Sequence, residues 1–137
     1  MRVPLLFAAT PLLLAVAVAA DDAPSLALEP RAPLFVGDRA ELVAVLVLRS
    51  TPPARVLLTP SGEGSALSVV RGRLLRSDAE VERDADGREA LRFRIPVVAD
   101  APGDAFVRVE ARVHLCDPGC RSVVLEARAP FRVEPRR

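Results

Sequence analysis

The chain of 137 residues predicts an all-β fold, a sandwich of antiparallel sheets that each bury one face. Three observations lead to this prediction. Apolar residues alternate with polar residues along several segments, which is the pattern of a half-buried strand. The 13 prolines and 7 glycines interrupt these segments at short intervals. No segment sustains the period of about 3.6 residues that marks an amphipathic helix.

About seven or eight strands follow from this pattern. The predicted strands are residues 25–29, 34–36, 40–48, 55–59, 66–76, 90–98, 107–115 and 122–133. The predicted turns are residues 52–53, 60–64, 84–87 and 102–103. Residues 40–48 are apolar on both alternating faces, which is typical of a central strand, and Gly72 lets residues 66–76 form either one strand or a bent pair. This number and spacing of strands favours an immunoglobulin-like sandwich, with a small β-barrel as the alternative.

The first twenty residues have the features of a cleavable secretory signal. Arg2 supplies a positive start, residues 5–18 are almost wholly apolar, and small residues suited to cleavage end at Ala19 and Ala20. The apolar run is shorter than the roughly 20 residues that span a membrane. We therefore expect a signal peptide at 1–20 and a single β-sandwich domain at 21–137. The expected location is the periplasm or the extracellular medium.

Charge and composition argue against several classes of function. Removing Arg2 with the signal leaves 18 basic against 18 acidic residues, since the whole chain has 19 and 18. Nucleic acids and anionic membranes select basic surfaces, so neither is an expected partner. The chain has 1 His, which gives a Ser-His-Asp triad no support, and no motif predicts a cofactor. The expected partner is a protein of the cell envelope.

Cys116 and Cys120 carry the clearest chemical signal in the sequence. An exported protein meets an oxidising compartment, where disulfides form and persist. Pro118 and Gly119 suit the two central positions of a type II turn between the last two predicted strands. The two cysteines are therefore expected to face each other across the end of a hairpin and to form a disulfide.

Strand alternation predicts the direction in which these cysteines point. The aliphatic residues of 107–115 share one face, which must lie toward the core. His114 and Cys116 then fall on the opposite, polar face, and Cys120 falls on the matching face of the second arm. A disulfide that closes so short a loop stabilises by only about 2 kcal/mol in the chain-entropy model. Exposed disulfides are more often the labile, regulatory or catalytic ones.

Three functions are compatible with this arrangement. The first is thiol–disulfide exchange, with Cys116 and Cys120 as the catalytic redox pair and with positive charge supplied by His114, Arg112 or Arg121. The second is an envelope binding or assembly module in which the disulfide is a structural staple. The third is a soft-metal site, such as one for copper, built from the two cysteines and His114. Whether the protein is an enzyme stays open.

Residues 102–133 resemble the N-terminal periplasmic domain of DsbD-type thiol:disulfide interchange proteins. The resemblance rests on the string from Val113 to Cys120, with an acidic residue directly after the first cysteine, and on the strand that ends at residues 131–133. It implies an immunoglobulin-like sandwich in which Cys116 and Cys120 form the redox pair. It also implies an envelope partner that is thioredoxin-like or a transmembrane thiol reductase.

Overall fold

The computed structural model describes residues 23–48, 55–83, 85, 88–116 and 119–136. The predicted signal peptide and the predicted turn at 52–53 lie outside the described residues, as does most of the turn at 84–87. The strands are β1 (Ser25–Leu28), β2 (Leu34–Phe35), β3 (Arg39–Leu48), β4 (Arg55–Glu63), β5 (Leu67–Val69), β6 (Leu74–Leu75), β7 (Glu80–Arg83), β8 (Glu89–Ala99), β9 (Gly103–Cys116) and β10 (Cys120–Glu134). A 3-10 helix, Arg76–Asp78, joins β6 to β7. Within this described part, no helix has the length and apolar character needed to cross a membrane.

Two five-stranded sheets enclose one core. The first sheet has the order β1-β3-β8-β5, with β7 also paired to β8, and the second has the order β2-β10-β9-β4-β6. When β5 and β7 are taken as one broken strand, the main strands fall into the sets ABED and CFG of an immunoglobulin sandwich. The predicted all-β, immunoglobulin-like sandwich is therefore confirmed. The short β2 pairs parallel with β10, while the other strand pairs are antiparallel.

The predicted inward face of β8 forms the centre of the core. Leu91, Phe93, Ile95 and Val97 are at most 1% exposed, whereas Arg94 between them is exposed to solvent. Strand β3 lies between β1 and β8, as expected of a central strand. Burial of aliphatic and aromatic side chains from both sheets supplies the main driving force for folding.

The turn predicted at 60–64 is wrong for residues 60–63, because β4 continues through them to Glu63. Pro60 is opposite Val109 of β9, and β6 covers β4 only at Leu57 and Leu58. Pro60 therefore lies where one side of β4 is an edge, which is a position at which a sheet tolerates proline. The chain turns only at Gly64, whose φ of 96° suits glycine.

The segment 66–76 is a bent pair and not a single strand. Strand β5 joins the first sheet, whereas β6 joins the second, so the chain crosses between sheets near Gly72. Strand β7 then returns to the first sheet, and all four of its residues are exposed. Its sequence has no buried alternating face, which is why the pattern did not predict it. These two changes raise the strand number in the described residues to ten.

Candidate functional site

The hairpin of β9 and β10 positions both cysteines. Its register runs without interruption from Gly103 opposite Val133 to Cys116 opposite Cys120. Because no bulge shifts the pairing, side chains at opposed positions share a face along the whole hairpin. The faces that strand alternation predicts therefore hold up to the last pair.

A disulfide joins Cys116 to Cys120, whose Cα atoms are 3.8 Å apart. Both residues are exposed, while the preceding Leu115 is 6% exposed and faces the core. The predicted disulfide and its place on the polar face are confirmed. The predicted turn residue Pro118 lies outside the described residues.

Burial along β10 fades toward the disulfide. Phe131 and Val133 are buried, whereas Val123, Leu125 and Ala129 only partly pack against the core. Strand β2 pairs with β10 only at its far end, opposite Val133 and Glu134, which leaves the remaining length as an edge. The residues of β10 that were predicted to face the core do face it, but they are deeply buried only at the end away from the disulfide.

His114 lies beside the disulfide, as its spacing predicts. It is opposite Ser122 of β10 and opposite Arg55 of β4 in the register. Its Nδ1 atom is 3.3 Å from the Ser122 hydroxyl oxygen, and the imidazole is half-buried. Ligand-type atoms of His114, Cys116 and Cys120 lie within 4.8 Å of one another. In the disulfide state the sulfurs are bonded to each other, so a metal would need the reduced pair.

The disulfide borders a cleft of about 640 Å³ on the outer face of the second sheet. The lining residues are Arg55, Val56, Leu57, Arg73, Leu75, Arg112, His114, Cys116 and Ser122. Cys116 is among them and Cys120 is not. Among the described residues, the lining contains no carboxylate, so this part of the cleft has a positive charge beside Cys116.

The arginines that were expected near the cysteines differ in position. Arg112 lines the cleft, with an ion pair to Glu110 at 3.7 Å. Arg121 is opposite Leu115, whose side chain faces the core, so Arg121 is on the other side of β10 and does not line the cleft. Arg55 and Arg73 were not predicted as site residues. Their exposure could be read from the sequence, but their approach to Cys116 requires the pairing of β9 with β4 and of β4 with β6.

A small hydrogen-bonded turn holds the β6 wall of the cleft. The Asp78 carboxylate accepts a hydrogen bond from the Leu75 backbone N–H at 2.7 Å and pairs with Arg71 at 3.0 Å. The backbone hydrogen bond, followed by Arg71, lowers the pKa of Asp78 below its ordinary value. Asp78 therefore stays ionised at neutral pH and keeps Leu75 at the side of the cleft.

No family model and no curated protein matches the chain. Among solved structures, the chain is similar to ACE19, the collagen binding subdomain of the Enterococcus faecalis surface protein ACE. The two share 7% sequence identity over 86% of this chain and 99% of that chain, with a TM-score of 0.30. A likeness this slight supports no inference about what this chain binds.

Proposed function

We propose that the chain is an exported thiol–disulfide exchange module, with Cys116 and Cys120 as its redox pair. The observation that carries the proposal is the exposure of this disulfide beside a positively charged cleft, with His114 next to it. Exchange requires a sulfur that another thiolate can reach and a thiolate of lowered pKa. Both conditions suit this site better than a buried structural bridge.

The position of the disulfide in the hairpin is consistent with this role. The ladder between β9 and β10 is continuous, and Leu115 is buried in the core next to Cys116. The hairpin therefore has its own hydrogen bonds and its own apolar contacts. Closing the short loop 116–120 adds only about 2 kcal/mol by constraining the unfolded chain. The bridge contributes modestly to folding, which leaves it free to open and close.

The proposed reduction proceeds through Cys116, because Cys116 is the cysteine that lines the cleft. The thiolate of a dithiol partner attacks the Cys116 Sγ atom, the Cys116–Cys120 bond breaks, and Cys120 leaves as a thiolate that takes up a proton. The second thiolate of the partner then attacks the partner's own sulfur in the mixed disulfide and releases Cys116. Two electrons and two protons have moved to this chain, and the partner has become a disulfide.

Positive groups around Cys116 stabilise its thiolate. Arg112 lines the same cleft, and His114 lies two residues away on the same face. Nearby cationic groups lower the pKa of a cysteine thiol, which makes Cys116 a better leaving group when the partner's second thiolate releases it from the mixed disulfide. The reduced module can then pass its electrons to the disulfide of another exported protein.

The resemblance to the DsbD-type domain names the class of partner. The expected electron donor is a thioredoxin-like protein or a transmembrane thiol reductase of the cell envelope, and the expected compartment is the periplasm. An exported location is also the setting in which a surface disulfide persists until a dedicated reductant reaches it.

The reduction potential of the pair tests the proposal. Residues 21–137 are equilibrated with dithiothreitol or glutathione buffers, and the free thiols are counted after alkylation. A potential between about −120 and −270 mV supports exchange, since characterised exchange proteins span that range. A potential below about −300 mV is that of a structural disulfide. It would overturn the proposal and favour an envelope binding or assembly module with a disulfide staple.

A soft-metal site is a second candidate, favoured by the clustering of His114 with both sulfurs within 4.8 Å. Thiolates with an imidazole are ligands that Cu(I) prefers. Reduced protein is titrated with Cu(I) against a competing chelator, with the variant Cys116→Ser/Cys120→Ser as control. Uptake of one ion per reduced chain, weakened by His114→Ala, supports the site. Uptake equal to that of the double variant would exclude it.

A further inference from the structure

We infer that the cleft beside Cys116 binds an anionic segment of the exchange partner, so that the module selects partners with carboxylates next to the reactive thiol. This inference rests on the proposed exchange function. The cleft brings together Arg55, Arg73 and Arg112 from three different strands or loops, together with His114 and Cys116. A partner that attacks Cys116 must place its thiolate within the electric field of these cations.

The cations of the cleft differ from the other arginines on the outer face of the same sheet. Arg108 pairs with Glu126, and Arg132 pairs with Asp104 at 3.1 Å. Among the described residues, Arg55 and Arg73 make no ion pair with a carboxylate, and Arg112 makes only the 3.7 Å contact to Glu110. The charge elsewhere on the face is neutralised locally, whereas the charge at the cleft is available to a ligand.

Guanidinium groups suit a carboxylate ligand in particular. The planar fork of Arg donates two parallel hydrogen bonds to a carboxylate, and these charge-assisted bonds are about twice as strong as neutral ones. An ammonium ligand would be repelled by the three arginines and would find no carboxylate among the described residues of the lining. The chemistry of the lining therefore favours acidic side chains or a terminal carboxylate.

The apolar part of the lining indicates that the ligand of the cleft is a peptide segment and not a free anion. Leu57 and Leu75 contribute aliphatic surface, and Leu75 is 45% exposed although it is a large apolar residue. The volume of about 640 Å³ lies within the usual range for small-ligand pockets. A short extended segment with a carboxylate and an aliphatic side chain fits both parts of the lining.

The test compares small thiols of different charge as reductants of the Cys116–Cys120 disulfide. Thioglycolate is anionic, 2-mercaptoethanol is neutral and cysteamine is cationic. Because the nucleophilicity of a thiolate rises with the pKa of its thiol, each rate is divided by the rate of the same thiol with the neutral 2-hydroxyethyl disulfide. At low ionic strength we expect the anionic thiol to react about tenfold faster than the cationic one, through local concentration by the cleft. The difference should shrink as salt is raised from about 10 mM toward 1 M.

Variants in which glutamine replaces the arginines of the cleft test whether the cleft is the source of this preference for the anionic thiol. The variant Arg55→Gln/Arg73→Gln/Arg112→Gln should lose most of the tenfold preference, and Arg132→Gln, at the other end of the same sheet, should keep it. Thermal unfolding and circular dichroism of each variant show whether it is folded. If the triple variant does not fold, the single variants Arg73→Gln and Arg112→Gln should each reduce the preference by a measurable fraction.

The outcomes separate the two proposals. If the disulfide exchanges with all three thiols at rates independent of charge, the anionic-partner inference is overturned and exchange itself stands. If the triple variant keeps the full preference, the cleft is not its source, and the inference is again overturned. If none of the thiols reduces the pair under conditions that reduce a free glutathione disulfide, the exchange function fails as well.

Discussion

The two ends of the β9–β10 hairpin share one sheet, one register and one alternation, yet they differ in burial and charge. At the far end, Phe131 and Val133 are buried, and Arg132 pairs with Asp104 at 3.1 Å. At the cysteine end, Val123 is half-buried and Arg112 lines an open cleft. Alternation sets which face a side chain is on, but neighbouring strands decide whether that face is covered.

Exposed arginines on this sheet likewise have two different roles. Arg128 lies 3.8 Å above the centre of the Phe106 ring and pairs with Glu63 at 2.9 Å, so it contributes to local packing. Arg55, beside the disulfide, makes no such ion pair among the described residues. An arginine with local partners, such as Arg128, stabilises the surface around it. An arginine without an ion pair, such as Arg55, is typical of a surface that binds a ligand.

The largest expected effect is a difference between the two cysteines in the amount of mixed disulfide that each one traps. With Cys120→Ser, the Cys116 thiolate should attack a thioredoxin-like partner whose single remaining cysteine carries a thionitrobenzoate disulfide, and a stable mixed disulfide should form as thionitrobenzoate leaves. With Cys116→Ser, the remaining thiol belongs to Cys120, which does not line the cleft, and at least tenfold less adduct is expected. Non-reducing electrophoresis with mass spectrometry measures both. Equal trapping by the two variants would show that the cleft does not select the reacting sulfur.

The second-largest expected effect is a difference in stability between alanine substitutions at the two ends of β10. Phe131→Ala should lower the free energy of unfolding by about 3–5 kcal/mol, the range for a buried aromatic residue. Leu125→Ala, at a half-buried position, should cost less than about 2 kcal/mol, below the range for a buried leucine. Urea unfolding with the disulfide intact measures both. A larger loss at Leu125 than at Phe131 would contradict the observed fading of burial.

Removal of the disulfide should have a smaller effect on stability. Cys116→Ser/Cys120→Ser should lower the free energy of unfolding by about 2 kcal/mol and leave the β-sheet circular dichroism spectrum unchanged. The physical reason is the short loop, whose closure removes little freedom from the unfolded chain. Urea unfolding of the wild type with and without dithiothreitol provides the matched comparison. Loss of the folded state in the double variant would mean that the bridge is essential to the fold.

The smallest expected effect concerns the surface ion pairs. Asp104 raises the pKa of Arg132 through a hydrogen bond, so the stabilisation from this pair is fully present below the ordinary pKa of arginine and is lost only as the pH rises through the higher folded value. Arg132→Gln should therefore lower the unfolding midpoint slightly and equally at pH 6 and pH 9. Arg112→Gln should change it less, and 1 M salt should remove the difference. A larger loss for Arg112→Gln would indicate that the cleft arginine is structural.

Much of the fold and part of the site could be predicted from local pattern. The alternation of β8 and β9 correctly identified the core face, and the same alternation correctly placed His114 and Cys116 on the polar face. Pro60 misled the prediction because proline is tolerated on an unpaired edge, and an edge is a property of the sheet. Strand β7 was missed because all four of its residues are exposed, so its sequence has no apolar period.

Two features depend on contacts that only the pairing of strands creates. Glu89 is buried, with ion pairs to Arg76 at 2.7 Å and to Arg83 at 3.2 Å, and nothing in its sequence neighbourhood distinguishes it from an exposed glutamate. The cleft requires Arg55 and Arg73 to approach Cys116 through the pairing of three strands. Neither arrangement follows from alternation, because alternation carries information about faces and none about neighbours.

The sequence by itself determined the all-β class, the inward face of each long strand and the disulfide of Cys116 with Cys120, because strand period and short cysteine spacing act locally. Only the tertiary structure decided which strands are edges, where the core is deep and which arginines surround the reactive sulfur. These properties arise when strands distant in the chain pair with one another, and long-range pairing is set by the packing of the whole sandwich.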